Sequence, residues 1–354
     1  MTLRRLLFRI VLVFVVLFVA VIAGSLGYRA YRQHVVAEAI AIRSSDGIDE
    51  AMYVKIGGID QWIQIRGWNR ANPVILCVHG GPGGTWLPVT PLFAPWEKHF
   101  TVVMWDQRGA GKTLESTGPE IASTMSVERM SQDGIEVAEF LRAHLHKDKI
   151  IVLGHSWGSI LGVNMVTKRP ELFAAYGGTG QVVDMPEGMS LEYTRLLDLA
   201  QKNHDDEALA ALKRSGPPPF KSMEQVIDFF GAVDRFESDG KALEFLGPMA
   251  LTTPGLSLWD LHERQLGFAR VPTWSVYNEM LTTSLRAKTE FQLPVYFIQG
   301  ADDDLTQAAL VRQYFDSIHA PRKEIVLIPG AGHFAVWVAN DVFLAKLLAL
   351  TGIK

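Results

Sequence analysis

Gly154-His155-Ser156-Trp157-Gly158 is a G-x-S-x-G run, set between an apolar stretch at residues 150–153 and a helix-like stretch at 159–163. A strand that feeds a helix through such a run predicts a nucleophile elbow, with Ser156 at the tip of a sharp turn. The backbone at the tip is strained. Side chains two residues to either side would strike the neighbouring strand and helix, and glycine at 154 and 158 removes them. The turn also puts the serine at a helix N-terminus, where partial positive charge favours a developing anion. These are the needs of a hydroxyl that attacks a carbonyl carbon.

Such a hydroxyl is a weak nucleophile at neutral pH and needs a base that is itself held by a carboxylate. Of the ten histidines, His333 follows a strand pattern at 325–328 on the flexible turn Pro329-Gly330-Ala331-Gly332, and it is the expected base. His144, His146, His204 and His319 read as helix surface, and His155 reads as a packing residue beside the nucleophile. The acid is expected after an earlier strand, at 295–298, where Asp302, Asp303 and Asp304 stand side by side. G-x-x-D spacing from Gly300 selects Asp303, with Asp302 its main competitor and a solvated acidic loop the plain alternative. Oxyanion donors are expected from the backbone of Trp157 and from Gly81 in His79-Gly80-Gly81-Pro82-Gly83-Gly84. That loop lacks the Lys-Ser/Thr of a phosphate cradle.

Composition narrows the setting in which this chemistry runs. The chain has 354 residues and a net charge of -4, so it carries no basic field for nucleic acid. Its one cysteine, Cys77, lies in an apolar run and can form no intramolecular disulfide. No cysteine or histidine cluster has ligand spacing, so neither a metal nor a cofactor is expected. The N-terminus is different in kind. Residues 10–28 carry no charge and follow Arg4, Arg5 and Arg9. Nineteen helical residues reach about 28 Å, close to the hydrocarbon thickness of a bilayer.

Residues 1–28 are therefore expected to be an uncleaved signal anchor crossing a membrane once. The rival is a signal peptide cleaved before Gly24, which would leave a secreted or periplasmic domain. With Arg29 and Arg32 beyond the span, charge leans only weakly toward a cytoplasmic N-terminus, and either reading exports the rest of the chain.

Beyond a linker at 29–50, which has helical tendency at 34–41, segments 52–59 and 62–68 read as an antiparallel pair at a sheet edge. Short apolar strands then alternate with helical patterns: 74–78, 101–105, a helix at 127–146, 150–153, a helix at 158–167, and 174–178. From 182 to 290 helix-like, charged and aromatic segments dominate, broken by Pro217-Pro218-Pro219. Strands resume at 294–298 and 324–328, and an amphipathic helix at 334–350 closes the chain. The pattern predicts one α/β domain, residues 51–181 and 291–354, with a mostly parallel sheet flanked by helices and a helical cap at 182–290 inserted into it. Two consecutive domains would leave the last strands without a sheet to join.

His79-Gly-Gly-Pro-Gly83, Asp106-Gln-Arg-Gly-Ala-Gly111 and Gly154-His-Ser-Trp-Gly158 together resemble the proline iminopeptidase branch of the alpha/beta-hydrolases. The order Ser156, Asp303, His333 is that of the superfamily. The resemblance implies an alpha/beta-hydrolase fold and a serine exopeptidase that works through an acyl-enzyme. It would release an N-terminal residue, often proline, from short peptides. The free amine of the substrate would be held by cap carboxylates, for which Glu279 in 274–279 and Glu192 in 190–193 are candidates. The segment from Asp106 to Arg108 would brace its loop as an ion pair. Two other readings stand beside this one: an esterase or lipase for small or membrane-derived acyl substrates, and an inactive hydrolase fold that only binds. The complete Ser156, Asp303, His333 set argues against the last.

Overall fold

Residues 48–67 form a hairpin of β1 (Ile48–Ile56) and β2 (Ile59–Gly67), and the two residues between them, Gly57 and Gly58, both have positive φ, 55° and 80°. That is the backbone a tight hairpin turn demands, and only glycine adopts it freely at both positions. Along β1 buried or half-buried residues alternate with exposed ones, as expected of an edge strand. The strands that follow are of another kind. In β3 (Val74–Val78), β4 (Thr101–Trp105), β5 (Ile150–His155) and β7 (Val295–Gly300) every residue is buried, because helices cover both faces. With β6 (Phe173–Thr179) and β8 (Lys323–Ile328) they complete an eight-stranded sheet in the order β1-β2-β4-β3-β5-β6-β7-β8. The pairs β1/β2 and β2/β4 are antiparallel and the rest are parallel.

This computed structural model describes residues 3–240, 243–262 and 274–353. The two-residue period of a strand divides the core in two. Val74, Leu76 and Val78 of β3 face one cluster, and Ile75 and Cys77 face the other. The first cluster includes Ile135, Val137 and Leu141 of α3 (Val127–His144) and Ile160 and Val163 of α4 (Trp157–Lys168). The second is closed by Phe343, Leu344 and Leu347 of the helix Asn340–Thr351 and by Val89 and Phe93 of the short helix Leu87–Phe93.

Between β6 and β7 the chain leaves the sheet and returns. Its outward and inward paths are stitched together where Leu285 N–H donates to the Val183 carbonyl at 2.7 Å. The insertion holds α5 (Met185–Lys202), α6 (Asp206–Ser215), α7 (Met223–Phe236), α8 (Leu246–Thr252) and the helix Trp274–Leu281. Asp184, Asp205 and Ser222 cap α5, α6 and α7, each accepting a backbone N–H of the first turn.

The N-terminal helix α1 (Leu3–Ala39) is the one helix among the described residues long and apolar enough to cross a membrane. It departs from the sequence reading in length. Where a linker with helical tendency only at 34–41 is expected, one helix runs unbroken from the apolar span to Ala39, and β1 begins at Ile48. Residues 30–39 include Ala30, Gln33, Ala37, Glu38 and Ala39, which favour helix, and the segment is tied down. Arg29 Nη2 donates to the Leu256 carbonyl at 2.6 Å, and Gln33 Nε2 donates to the carbonyls of Thr253 and Leu256, each at 2.9 Å. His146, His204 and His319 also differ from the helix surface expected of them: the first two occupy turns with φ near 50°, and His319 lies past the end of a helix in a bridge to Glu290.

Candidate active site

Ser156 joins β5 to α4 with φ 53° and ψ −124°, a conformation a non-glycine residue adopts at a cost of about 1–3 kcal/mol. The glycines around it are steric necessities. A Cβ on Gly158 would lie 2.0 Å from the Val78 carbonyl oxygen, and one on Gly154 would lie 2.7 Å from that of Gly158. The backbone N–H of Ser156 donates to the Thr179 carbonyl at 3.1 Å, so the next parallel strand holds the elbow.

Parallel register sets the glycine loop beside this turn, because Val78, the last residue of β3, is level with Gly154. Gly81 has φ 138°, and Gly80 approaches so closely that a Cβ on it would be 3.1 Å from Ser156 Cβ. His79 is buried and fixes the loop from within. Its Nδ1–H donates to the Gly80 carbonyl at 2.8 Å, and its Nε2 accepts the N–H of Gln107 at 3.2 Å. Burial pushes its pKa down to about 4, against the bond to Gly80, so the ring is neutral.

Gln107 then connects the glycine loop to the side chain of Trp157. Its Nε2 donates to the His79 carbonyl at 2.9 Å, and its Oε1 accepts Trp157 Nε1–H at 3.0 Å. The ion pair expected between Asp106 and Arg108 does not form. Asp106 accepts Thr85 Oγ1 at 2.5 Å and the Lys112 N–H at 2.7 Å, and burial raises its carboxyl to about 7. Arg108 takes Asp133 instead, through two bonds of 2.8 and 3.1 Å, since a buried guanidinium is best neutralised by a carboxylate that meets its fork. Both residues brace the loop, through different partners.

The acidic loop and the His333 loop leave the sheet together, because Gly300 of β7 is level with Ile328 of β8. Asp303 is buried and its carboxylate oxygens lie 3.1 and 3.2 Å from His333 Nδ1. Asp302 is exposed. The Asp303 carboxylate also accepts Gln299 Nε2 at 2.5 Å, Thr306 Oγ1 at 2.7 Å, and the N–H groups of Thr306 and Leu305 at 2.8 and 3.1 Å. With Nδ1–H donating to a carboxylate, Nε2 is left as the acceptor a base requires. Burial disfavours the imidazolium, but Asp303, with Glu237 and Asp239 nearby, outweighs it and holds His333 above the ordinary imidazole value.

His155 packs as expected, with Trp86, Phe334 and Trp337 around it. Its Nε2–H donates to the His333 carbonyl at 3.0 Å, which ties the elbow to the His333 loop. Burial drives its pKa down to about 3, so it too stays neutral.

The sequence profile of the alpha/beta hydrolase fold family matches residues 73–339. This chain belongs to that family. Within it the chain sits with the proline iminopeptidase-like branch. This hydrolase is 28% identical to a probable aminopeptidase of Bacillus subtilis, YbaC, over 79% of its own length and 89% of the other. It is 31% identical to the proline iminopeptidase of Saccharolobus solfataricus, over 83% of its own length and 90% of the other. Among solved structures, a proline iminopeptidase-related protein of Thermus thermophilus superposes with a TM-score of 0.57 at 20% identity, covering 86% of this chain and 98% of that one.

The two cap carboxylates expected in this hydrolase have other occupations. Glu279 Oε2 accepts the Val127 N–H at 2.7 Å and so serves the first turn of α3. Glu192 is 1% exposed and holds Arg195 through two bonds of 2.7 Å, while Arg195 also reaches Asp304 at 3.1 Å. A third acid, Glu237, lies close enough to interact with His333, and burial raises its pKa. Among the described residues no lysine or arginine forms a direct ion pair with it, although Arg195 also feels its charge.

Sequence reasoning missed Gln107, Gln299, Thr306, Asp239 and Glu237. Thr306 was within reach, since Asp303-x-x-Thr306 is a side-chain-to-backbone turn signature. Gln107 stood in a recognised motif without a role. The cap acids carry no local signal.

Proposed function

We propose that this hydrolase is a serine aminopeptidase of the proline iminopeptidase type, acting on short peptides. The observation that carries the reading is the Asp303–His333 contact of 3.1 Å, on a loop bonded to the strained Ser156 elbow through His155. Ser156 Oγ attacks the carbonyl carbon of the first peptide bond and its proton passes to His333 Nε2. The N–H groups of Gly81 and Trp157 receive the charge that develops on the carbonyl oxygen. The C–N bond then breaks as His333 returns the proton to the leaving amine, leaving an acyl-enzyme. Water, deprotonated by His333, releases the acid and restores Ser156.

An exopeptidase needs a partner for the substrate's ammonium, and Glu237 supports that role better than Glu192 or Glu279. It interacts with the base, and among the described residues no basic side chain forms an ion pair with it. A fluorophosphonate probe is expected to label the wild type and not Ser156→Ala. Prolyl and other aminoacyl amides are expected to turn over, with N-blocked amides slower by about tenfold or more, the worth of one charge-assisted contact. Glu237→Gln should raise KM for free amines by a similar factor. Equal turnover of N-blocked amides would instead favour the esterase reading. That second reading draws on one observation, an apolar cleft beside the glycine loop lined by Leu87, Pro88, Leu114, Leu256 and Leu261.

We further propose that α1 anchors the enzyme in a membrane, with the catalytic domain on the non-cytoplasmic side. The nineteen uncharged residues and the helix that carries them support this. A mature chain that begins near Gly24 would make α1 a signal peptide instead.

A further inference from the structure

We propose that the cap segment 256–262 is a membrane-docking element that seats the active-site end of the enzyme in the headgroup layer of the bilayer crossed by α1. This inference rests on the reading of α1 as an anchor.

The uncharged span ends at Tyr28. Arg29 and Gln33 both bond the Leu256 carbonyl, at 2.6 and 2.9 Å. At about 1.5 Å of rise per residue, Gln33 lies no more than about 7.5 Å beyond Tyr28, and a tilt of the helix only shortens that height. Each polar layer of a bilayer is about 5–7 Å deep outside the hydrocarbon. The carbonyl bonded by both side chains is therefore at headgroup level, and so are the residues next to it.

Those residues are suited to that level. Asp260 turns inward, accepting the Ser257 N–H at 2.5 Å and standing 3.5 Å from Lys112 Nζ, and Leu261 lines the apolar cleft. The other side of the same turn presents Leu258, 47% exposed, and Trp259, 57% exposed. On α1 the flanking aromatics Tyr28 and Tyr31 are each 62% exposed. Tryptophan and tyrosine beside a charged residue at the end of an apolar span are the side chains that favour a membrane interface.

The path of α1 decides which end of the domain is turned to the lipid. Gln33 bonds the carbonyl of Thr253, whose Oγ1 bonds the Pro88 carbonyl at 2.7 Å, just past the glycine loop. The Ile40 carbonyl accepts Arg66 Nη2 at 2.6 Å, and Arg66 is level with Val102, near the start of β4. The chain thus leaves the bilayer at the carboxyl ends of the parallel strands, where Ser156, Gly81 and Asp303 lie, and descends past the opposite end.

The test uses the full chain in phosphatidylcholine vesicles. Cys77 is 1% exposed, so Leu258→Cys, Trp259→Cys and Asp148→Cys can each be labelled with an environment-sensitive fluorophore at one site. Asp148 is exposed and precedes β5 at the far end of the sheet. Hydrolysis of a soluble substrate reports that each variant is folded. Lipids with nitroxide near the headgroup should quench labels at 258 and 259 at least threefold more than at 148. Equal quenching at all three sites, in protein that floats with the vesicles after an alkaline carbonate wash, overturns the docking element alone. Protein that fails to float overturns the anchor, and the docking element with it.

Discussion

Asp239 brackets His333. One carboxylate oxygen accepts the N–H of Gly332 at 2.8 Å and the other accepts that of Phe334 at 2.7 Å, so an acid of the cap grips the residue on either side of His333. It is 2% exposed, and a Cβ on Gly332 would collide with Ser238. The position of His333 is thereby tied to the position of the cap.

Asp239→Asn keeps one acceptor and loses the other, along with a negative charge near His333. The expected result is a fall in kcat of about 10- to 100-fold with KM little changed, the penalty of a displaced catalytic group. The charge adds a second readout. A base works when neutral, and His333 is held above its ordinary value, so activity should fall with acid at a pH above about 6.5. Without Asp239 that limb should move to lower pH. A rate loss with an unmoved limb would mean that Asp239 only supports the loop.

Gln107 bridges the backbone of His79 to the indole of Trp157, and with them the two loops expected to stabilise the oxyanion. Gln107→Leu fills the same space without the bonds. Loss of oxyanion alignment acts in the transition state, so kcat should fall by about 100-fold, toward the value for a lost oxyanion donor, while KM moves less than threefold. Steady-state kinetics on an aminoacyl amide reads the split.

Two buried histidines predict loss of stability in acid. His79 is neutral in the fold down to about 4, whereas an unfolded histidine takes a proton near 6.5. The unfolded state therefore binds more protons between these values, and stability falls as pH drops through them. His155, held near 3, acts in the same direction. His333 has the opposite sign, its contribution being lost as pH rises through its raised value. Between pH 7 and 4.5 the wild type should lose about 2–3 kcal/mol more than His79→Gln, measured by urea unfolding.

Glycine at 158 and glycine at 231 should respond oppositely to alanine. At Gly158 the added Cβ meets backbone oxygen at 2.0 Å, and neither strand nor helix can retreat. A loss of about 3 kcal/mol or more is expected. Gly231, on the exposed side of α7, has nothing within 4 Å of a built Cβ. There alanine should stabilise by about 0.5–1 kcal/mol, because the unfolded chain loses freedom and no contact is strained. Thermal unfolding of both variants gives the comparison.

The Ser156 elbow, its flanking glycines, the strand pattern and the apolar helix were legible in the chain itself. Each is a local demand: a φ near 53° needs close glycines, a strand covered on both faces needs an unbroken apolar run, and a membrane-length helix needs absent charge. Asp303 was narrowed to two neighbours by spacing, and burial beside His333 separated it from exposed Asp302. What only the tertiary structure decided are the partnerships between distant segments. Asp239 lies 95 residues before Phe334, Gln33 lies 223 before Leu256, and Glu279 lies 152 after the Val127 it serves. A side chain's partner across such a gap depends on where packing brings two surfaces together, and no local pattern encodes that.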